Sequence, residues 1–215
     1  HRDLHSFPTR RSSDLEEIGR LLTRNCDPMH DIHLMRGPLD VLDHSSSTYA
    51  YGSKIGFDLT SAIPDERPLF AAVQKEDDQQ SASDTFFMDE RSVLTRNPQI
   101  KSIRSDLPSR GISLLIMGVE KEPGRPLRSI MGEIFQNGLI KGVKFIVLVD
   151  HVVNLEDTAQ VVWLAANNLD PIRDTFYPRQ SDGRDFPVLC LDGTSKRRET
   201  DNFNRDWPNV IVMDD

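Results

Sequence analysis

Hydrophobic and polar residues alternate in the second half of the chain in a pattern that predicts strands and helices in turn. Runs of β-branched and other apolar residues are typical of buried strands, whereas apolar positions spaced three or four residues apart are typical of helices. The predicted strands are Ile112–Val119, Val143–Val149, Pro187–Leu191 and Val210–Met213, and the predicted helices are Leu127–Asn137 and Leu155–Asn167. Because a strand, a crossover helix and a second buried strand form a βαβ unit, we expect an α/β fold, three-layer αβα, with a mainly parallel sheet.

The first half of the chain shows a sparser pattern. A helix is predicted over Glu16–Asn25, where apolar residues have helical spacing and an Asp-Pro step follows. Alternating residues predict a short strand over Asp31–Met35. Residues 43–54, rich in Ser, Tyr and Gly, predict an exposed loop. The stretch Gln74–Asp84 contains no large apolar residue, which predicts a linker or a disordered insertion.

One seven-residue motif occurs twice, as Asn25-Cys-Asp-Pro-Met-His-Asp31 and as Asn168-Leu-Asp-Pro-Ile-Arg-Asp174. Each copy follows an amphipathic segment and leads through a polar loop to an apolar residue, Asp, one residue and Thr, at Phe57–Thr60 and Leu191–Thr194. The copies lie about 140 residues apart, which is too long for a solenoid repeat and fits a duplicated domain. We therefore expect the two copies to have the same local structure.

The first fifteen residues, His1–Leu15, look like a short-read sequencing adapter translated in frame, so we leave them out of the fold prediction. The alternative is a basic targeting segment, since Arg2, Arg10 and Arg11 suit a transit peptide. Two aspartates and the lack of an apolar core argue against that alternative. We expect the natural protein to continue upstream of Glu16.

Composition excludes several classes of protein. The chain has 26 basic and 34 acidic residues and a formal net charge of −8, which disfavours a nucleic-acid-binding surface. No apolar run approaches the roughly 18 residues that a membrane-spanning helix needs. The two cysteines, Cys26 and Cys190, occupy non-equivalent places in the two copies, so we expect no structural disulfide and a cytoplasmic location.

Longer stretches resemble a known family. Val143-Lys-Phe-Ile-Val-Leu-Val-Asp150, the helix that contains Trp163 and the second Asp-Pro motif together resemble the C-terminal domain of UbiD-like carboxy-lyases. In the first copy, Gly52-Ser-Lys-Ile-Gly-Phe-Asp-Leu-Thr60 is similar to that family's Gly-Ser-Lys-Met-Gly-Ile-Asp-Ala-Thr. The two copies and the closing Arg205–Asp214 segment most resemble the long UbiD-type decarboxylases of menaquinone biosynthesis.

The chain departs from the family pattern in two places. Asn25 and Asn168 stand near positions where many relatives have Arg, and the second copy lacks the Gly-Ser-Lys motif. The resemblance covers residues 16–66 and 110–215. It implies a tandem repeat of the C-terminal domain: a tail (1–15), a truncated first copy (16–70), a linker or insertion (71–109) and a second copy (110–215).

The resemblance also implies a function. UbiD-like enzymes decarboxylate aromatic or unsaturated acids with prenylated FMN, a divalent metal (Mn) and K, and their cofactor loop, metal ligands and acid/base Glu-Arg pair lie in a preceding β-barrel domain. The chain is then an inactive fragment of an aromatic-acid decarboxylase of quinone (menaquinone or ubiquinone) biosynthesis, with no catalytic, cofactor-binding or metal residue of its own. Its expected role is that of a scaffold and homo-oligomerisation region. The alternatives are a nucleotide-binding α/β module, which the lack of a Gly-x-Gly-x-x-Gly motif disfavours, and a non-catalytic assembly domain.

Histidines and aspartates offer several local candidates. His30 and His33 flank Asp31 and could bind zinc, but a spacing of three on a strand points the two rings to opposite faces, so a polar strand edge is favoured. Asp150 and His151 end a strand where α/β sheets place ligands, although a turn that caps the next helix is the favoured interpretation.

Glycines and lysines offer others. Gly52–Gly56 could hold a phosphate but lacks the full phosphate-loop spacing. Lys144 or Lys54 could reach a flavin phosphate; we favour an edge lysine that discourages aggregation for Lys144. Asp58 and Asp192 are expected to be turn or cap residues rather than acid/base catalysts.

Overall fold

A computed structural model of the protein describes residues 12–60 and 85–208. We call residues 12–60 the first unit and residues 85–208 the second unit. The first unit contains α1 (Ser12–Asn25), β1 (Ile32–Pro38) and β2 (Tyr51–Phe57). The second unit contains, in chain order, β3 (Phe87–Met88), α2 (Glu90–Arg96), β4 (Ile100–Arg104), a 3-10 turn (Pro108–Arg110), β5 (Leu114–Val119), α3 (Leu127–Gln136), β6 (Ile140–Lys141), β7 (Phe145–Asp150), α4 (Thr158–Asn168), α5 (Pro171–Asp174), β8 (Thr175–Phe176), β9 (Leu189–Asp192) and α6 (Arg198–Asp201).

The central sheet has the strand order β4-β5-β7-β9-β8. The three middle strands are parallel, with Leu114 opposite Phe145 and Phe145 opposite Leu189. The outer strands β4 and β8 are both antiparallel to their neighbours. The sheet is therefore mixed, which corrects the prediction of a mainly parallel sheet. Antiparallel neighbours need no long crossover connection, so the segment with the short 3-10 turn is enough to connect β4 to β5.

Apolar side chains cover both faces of this sheet. Alternate residues of a strand point to opposite faces, and the two sets contact different helices. On one face, Met117 and Leu148 pack with Ile130 and Ile134 of α3. On the other face, Ile116, Val147 and Val149 pack with Val161 of α4 and with Leu155.

The first unit packs on the second through a third apolar cluster. The strands β1 and β2 form an antiparallel hairpin in which Ile32 lies opposite Phe57. These two side chains and Cys26 contact Phe145 and Leu189 of the central sheet. Both phenylalanines are close, with ring centroids 6.3 Å apart. The hairpin therefore covers apolar side chains of the middle strands of the central sheet.

The bounds of most predicted elements are confirmed within a few residues, and three assignments are corrected. Residues 51–54, predicted as loop, belong to β2. Residues 90–104, assigned to the linker, form α2 and the edge strand β4. The helix α1 begins at Ser12, inside the predicted tail (residues 1–15). The short strand β8 was missed. The predicted strand Val210–Met213 and the stretch Gln74–Asp84 lie outside the described residues.

Across residues 12–60 and 85–208, no helix has the length and the apolar character that crossing a membrane requires.

Candidate functional site

The two Asp-Pro motifs form turns with the same hydrogen bonds. In the first, the amide of Asp27 donates to the Asp31 carboxylate (2.7 Å), and the amide of Asp31 donates to the carbonyl of Asp27 (2.9 Å). In the second, Asp170 and Asp174 make the same two bonds, both at 2.8 Å. Proline suits this turn because its ring fixes φ and because it lacks the amide hydrogen that a first helical position leaves unpaired.

The motif asparagine ties each turn to the Asp-x-Thr sequence further along the chain. The Asn25 side-chain amide donates to the carbonyl of Leu59 (3.0 Å), and that of Asn168 donates to the carbonyl of Gly193 (2.9 Å). In both copies the aspartate accepts hydrogen bonds from the backbone amide and the hydroxyl of the threonine two residues later. The prediction that Asp58 and Asp192 are turn residues is therefore confirmed.

The strand register also agrees between the two copies. Ile32, which follows the first motif, lies opposite Phe57, which precedes Asp58. Thr175, which follows the second motif, lies opposite Leu191, which precedes Asp192. The two copies differ in the neighbours of these strands. The strand β9 is also bonded to β7 on its other side, whereas β2 is bonded only to β1 within the described residues.

Each Asp-Pro turn forms a hydrogen bond with a residue of the other unit. The hydroxyl of Ser53 on β2 donates to the Asp170 carboxylate and accepts from the amide of Ile172 (2.8 Å). In return, the hydroxyl of Tyr177, just after β8, donates to the carbonyl of Pro28. Each unit therefore contributes a hydroxyl that forms a hydrogen bond with the Asp-Pro turn of the other unit. Burial at this interface raises the pKa of Tyr177.

A buried lysine holds the second Asp-x-Thr turn from inside. The Lys196 ammonium is fully buried and donates to the carbonyls of Asp192 and Thr194, both at 2.7 Å. It also lies 3.3 Å from the Asp192 carboxylate and 3.6 Å from that of Asp174. Burial would raise the pKa of Asp192, but Lys196 and Lys121 outweigh it and hold that pKa below its ordinary value.

Further charges surround this lysine and balance one another. Lys121 donates to both oxygens of Asp201 (2.6 and 2.7 Å), and burial lowers its pKa. Arg173 donates to both oxygens of Asp174, each at 2.7 Å, and burial raises the pKa of that carboxyl. With Lys196 and Asp192, three cations thus face three carboxylates. A cavity of about 210 Å³ opens beside the cluster, next to Arg128.

The segment after α6 lies across both units. The Trp207 ring packs edge-on against His44 of the first unit (4.8 Å between centroids) and against Phe203 (5.3 Å). The His44 ring nitrogen Nε2 is 3.3 Å from the side-chain oxygen of Asn168. The Arg205 guanidinium donates to the carbonyl of Ser46 (2.7 Å). This segment therefore strengthens the contact between the two units.

The metal and ligand candidates do not come together as a site. His33 lies on β1 opposite Gly56, and His30 lies in the preceding turn. Within the described residues, no group of three or more His, Cys, Asp or Glu side chains is placed to hold a metal ion. The Asp150 carboxylate accepts from the amide and the hydroxyl of Ser195. The helix α4 is capped by Asp157 instead, which corrects the interpretation of Asp150 as part of a capping turn.

The lysine candidates have different surroundings. The Lys144 ammonium donates to the carbonyl of Cys26 (3.1 Å), and the strand that follows it is central in the sheet. Lys144 is therefore not an edge lysine but a link between the units. Lys54 is exposed on β2, within the Gly52–Gly56 segment, and that segment is a strand rather than a phosphate loop.

Comparison with known proteins places this arrangement in a family. Residues 11–59 and 90–189 match the family described as the 3-octaprenyl-4-hydroxybenzoate carboxy-lyase C-terminal domain, UbiD_C. That match covers more than half of the chain. The chain belongs to the UbiD C-terminal domain family. An uncharacterized protein of Archaeoglobus fulgidus is 29% identical over 128 residues, which are 55% of this chain and 26% of that protein.

Solved structures similar to this UbiD C-terminal chain include an evolved dimeric form of the UbiD-class enzyme HmfF from Pelotomaculum thermopropionicum in complex with prFMN (22% identity, TM-score 0.39, 54% of this chain and 25% of that chain). Another is the vanillic acid decarboxylase of Sedimentibacter hydroxybenzoicus (12%, 0.41, 58% and 28%). A third is the apo 3,4-dihydroxybenzoic acid decarboxylase AroY of Klebsiella pneumoniae (17%, 0.39, 57% and 29%). The chain thus spans about a quarter of the length of the relatives it matches.

Sequence reasoning missed the residues that join the units, chiefly Ser53 and Tyr177, and the buried Lys196 within the second unit. One signal was present for Lys196. The second copy reads Asp192-Gly-Thr-Ser-Lys196, whereas the first has Ala62 at the position of the lysine. The contacts of Ser53 and Tyr177 left no such signal, because their partners lie more than a hundred residues away.

Proposed function

We propose that this chain is the C-terminal part of a UbiD-like decarboxylase that uses prenylated FMN, acts on an aromatic acid and serves quinone biosynthesis. The proposal rests on the family match, because the family is named after a carboxy-lyase that acts on a prenylated hydroxybenzoate. Among decarboxylases of this family, we propose the type that acts in menaquinone biosynthesis, because of the tandem motifs and the closing Arg205–Asp214 segment. The parent acts in the cytoplasm.

The chemistry of the parent belongs to residues outside this chain. Prenylated FMN would supply the electron sink for loss of carbon dioxide, and a divalent metal such as Mn and K would be bound with it in the parent. The described residues do not fit these groups: they hold no metal-binding cluster, and Lys144, the candidate for a flavin phosphate, donates to the carbonyl of Cys26. The role of this chain is to form a rigid scaffold.

A duplicated domain accounts for the architecture of that scaffold. We infer that residues 16–70 are the end of a first C-terminal domain and that residues 110–215 are the body of a second, each with three layers in the parent. The support is the agreement between the two Asp-Pro turns in hydrogen bonds and in strand register. We also infer that His1–Leu15 replaces natural sequence, because the codons of an adapter account for it.

An assembly role fits the exposed apolar surface. Trp163 is 61% exposed on α4, and Val162 beside it is 46% exposed. Exposed aromatic and aliphatic neighbours of this kind are typical of interfaces between proteins. We propose that the parent is a homo-oligomer and that this face of α4 takes part in the contact.

The decisive experiment uses the complete gene. The full-length protein, produced with a prenylated-FMN supply, is expected to release carbon dioxide from an aromatic acid, whereas the present chain is expected neither to do so nor to bind FMN tightly. Absence of decarboxylation over a panel of hydroxybenzoates by the flavin-loaded protein would overturn the substrate class. Micromolar FMN binding by the present chain would place a cofactor site within it.

Sedimentation of the full-length protein tests the assembly role separately. The natural protein is expected to sediment as an oligomer, and Trp163→Ser is expected to shift it toward monomer. A strictly monomeric natural protein would contradict the proposal. Because Trp163 is exposed, folding of the variant is checked by its unfolding midpoint.

A further inference from the structure

In the second unit, the strand that corresponds to β2 has a neighbouring strand on each side. There, β9 has β8 on one side and β7 on the other. The amides of Leu189 and Gly193 donate to the carbonyls of Lys144 and Leu148, each at 2.9 Å. The edge of β9 that points away from β8 is therefore bonded to a parallel strand, β7, whose residues 145–149 are all apolar and buried.

The strand β2 of the first unit corresponds to β9. The amide of Asp58 donates to the carbonyl of Asp31, and the amide of Leu39 donates to that of Ala50, so the even-numbered residues of β2 face β1. Because neighbouring residues of a strand direct their backbone groups to opposite sides, the amides of Ile55 and Phe57 point away from β1. They correspond to Leu189 and Leu191 of β9.

This outer edge of β2 has no strand beside it within the described residues. An unpaired row of amides and carbonyls is a template for another strand. The residues of this edge also belong to the contact between the units, because the side chains of Ile55 and Phe57 pack with Phe145 and Leu189.

We propose that the outer edge of β2 binds a parallel strand of the β7 type, supplied by the same polypeptide immediately before α1 in the natural protein. The strand β7 (Phe145–Asp150) precedes the motif asparagine Asn168. The positions that precede Asn25 by the same numbers of residues are 2–7. Those positions here read Arg-Asp-Leu-His-Ser-Phe, which lacks the apolar run of β7. The proposal rests on the proposed duplication and on the proposal that His1–Leu15 replaces natural sequence.

The register of the added strand follows from the second unit. In this register, the amide of Ile55 donates to the carbonyl at position 1 of the added strand. The amide of Phe57 donates to the carbonyl at position 3, and the amide of Leu59 donates to the carbonyl at position 5. These pairs correspond to Leu189 with Lys144, to Leu191 with Ile146 and to Gly193 with Leu148. The second unit therefore provides both the sequence and the alignment of a test strand.

The test replaces His1–Leu15 of the full chain by the sequence of Lys144–Thr158, which has the same length. Amide hydrogen exchange by NMR is then compared with that of the unmodified chain. Exchange at Ile55, Phe57 and Leu59 is expected to slow by about tenfold or more. Lys54 and Gly56, whose amides face β1 in both proteins, serve as an internal reference and are expected to change less.

A matched control carries the same replacement with proline at the positions that copy Ile146 and Leu148. Proline cannot form the ladder of a central strand, so the control is expected to exchange like the unmodified chain. Equal exchange at Ile55 and Phe57 in all three proteins would overturn the proposal. So would equal slowing by the proline control.

Sedimentation separates the same-chain strand from the alternative source, a second copy of the chain. Slowed exchange in a monomer supports the proposal, whereas slowed exchange only in a dimer assigns the edge to self-association and overturns it. The outcome is independent of decarboxylation. An inactive full-length enzyme would overturn the proposed function and leave this exchange result unchanged.

Discussion

The two motif asparagines make the same hydrogen bond in different surroundings. Asn168 is buried and its side-chain amide is bonded to the carbonyl of Gly193, whereas Asn25 makes its bond to Leu59 in a part-buried place. A buried carbonyl that loses its donor costs more than an accessible one, because water cannot replace the donor.

Asn168→Ala is therefore expected to lower the free energy of unfolding by about 1–3 kcal/mol, and Asn25→Ala by less. Urea unfolding followed by circular dichroism measures both. Asn167→Ala, at the neighbouring position of α4, is the matched control. Equal losses for the changes at 167 and 168 would show that the Gly193 bond contributes nothing specific.

Lys196 is the residue whose removal is expected to cost most. It lies between the carboxylates of Asp192 and Asp174 with no exposed surface. Lys196→Met keeps most of the volume but leaves buried charges without a partner, so a loss of about 3–5 kcal/mol is expected. Lys101→Met, which removes an exposed ion pair with Glu120, is the control and is expected to change stability by less than about 1 kcal/mol.

Two carboxyl groups of the same cluster predict opposite effects of pH. The pKa of Asp192 is lowered by folding, so the ionised group stabilises the fold above about pH 4, and this contribution is lost as the pH falls through its folded pKa. The pKa of Asp174 is raised by burial, so its ionisation destabilises the fold as the pH rises from about 4 to its folded pKa.

Unfolding of Asp192→Asn and Asp174→Asn from pH 3 to pH 7 tests this difference in sign. The stability advantage of the wild type over Asp192→Asn is expected to shrink as the pH falls below about 4. Its stability relative to Asp174→Asn is expected to improve as the pH falls toward about 4. Parallel curves for the two variants would contradict the assigned pKa directions.

At the scale of elements, α4 and the second Asp-x-Thr turn lie in very close contact. A Cβ atom at Gly193 would lie 2.7 Å from the Cα of Ala165 and 3.3 Å from the carbonyl of Leu148. Both neighbours are backbone atoms and cannot move without shifting the helix or the strand. The first copy has Leu59 at the corresponding position, so only the second copy requires glycine there.

Gly193→Ala is thus expected to destabilise the protein by about 1–3 kcal/mol through overpacking. The thermal midpoint and urea unfolding measure the loss. Gly37→Ala on β1 has no atom within 4 Å of the added Cβ and serves as the control. A wild-type midpoint for the alanine variant at 193 would mean that α4 adjusts its position freely.

At the scale of the whole molecule, the two units share one apolar cluster and exchange hydrogen bonds between their turns. If the first unit separated from the second, it would uncover Phe145 and Leu189, which are buried in the folded protein. A shared core of this kind favours unfolding in a single transition.

A single-tryptophan variant tests this cooperativity. Trp163→Phe removes an exposed side chain and leaves Trp207, which packs on His44 of the first unit. The fluorescence of Trp207 and the circular dichroism of the whole chain are expected to change at the same urea concentration. A fluorescence transition at clearly lower urea would show that the units separate before the sheet unfolds.

Local patterns in the sequence were sufficient to predict the strands β5, β7 and β9, the helices α3 and α4 and the turns at Asp58 and Asp192. These elements are specified by periodicity, by β-branched runs and by hydrogen bonds between residues two to four positions apart, all of which can be read along the chain. The internal repeat and the family resemblance also came from the sequence alone.

Tertiary structure decided what the patterns left open. The segment 90–104 joined the sheet because β4 pairs with β5, and residues 51–54 became a strand because β1 lies beside them. Ser53, Tyr177 and Lys144 became links between the units only because the fold brings partners from more than a hundred residues away into contact. Pairing and burial depend on such distant partners, and no local pattern encodes them.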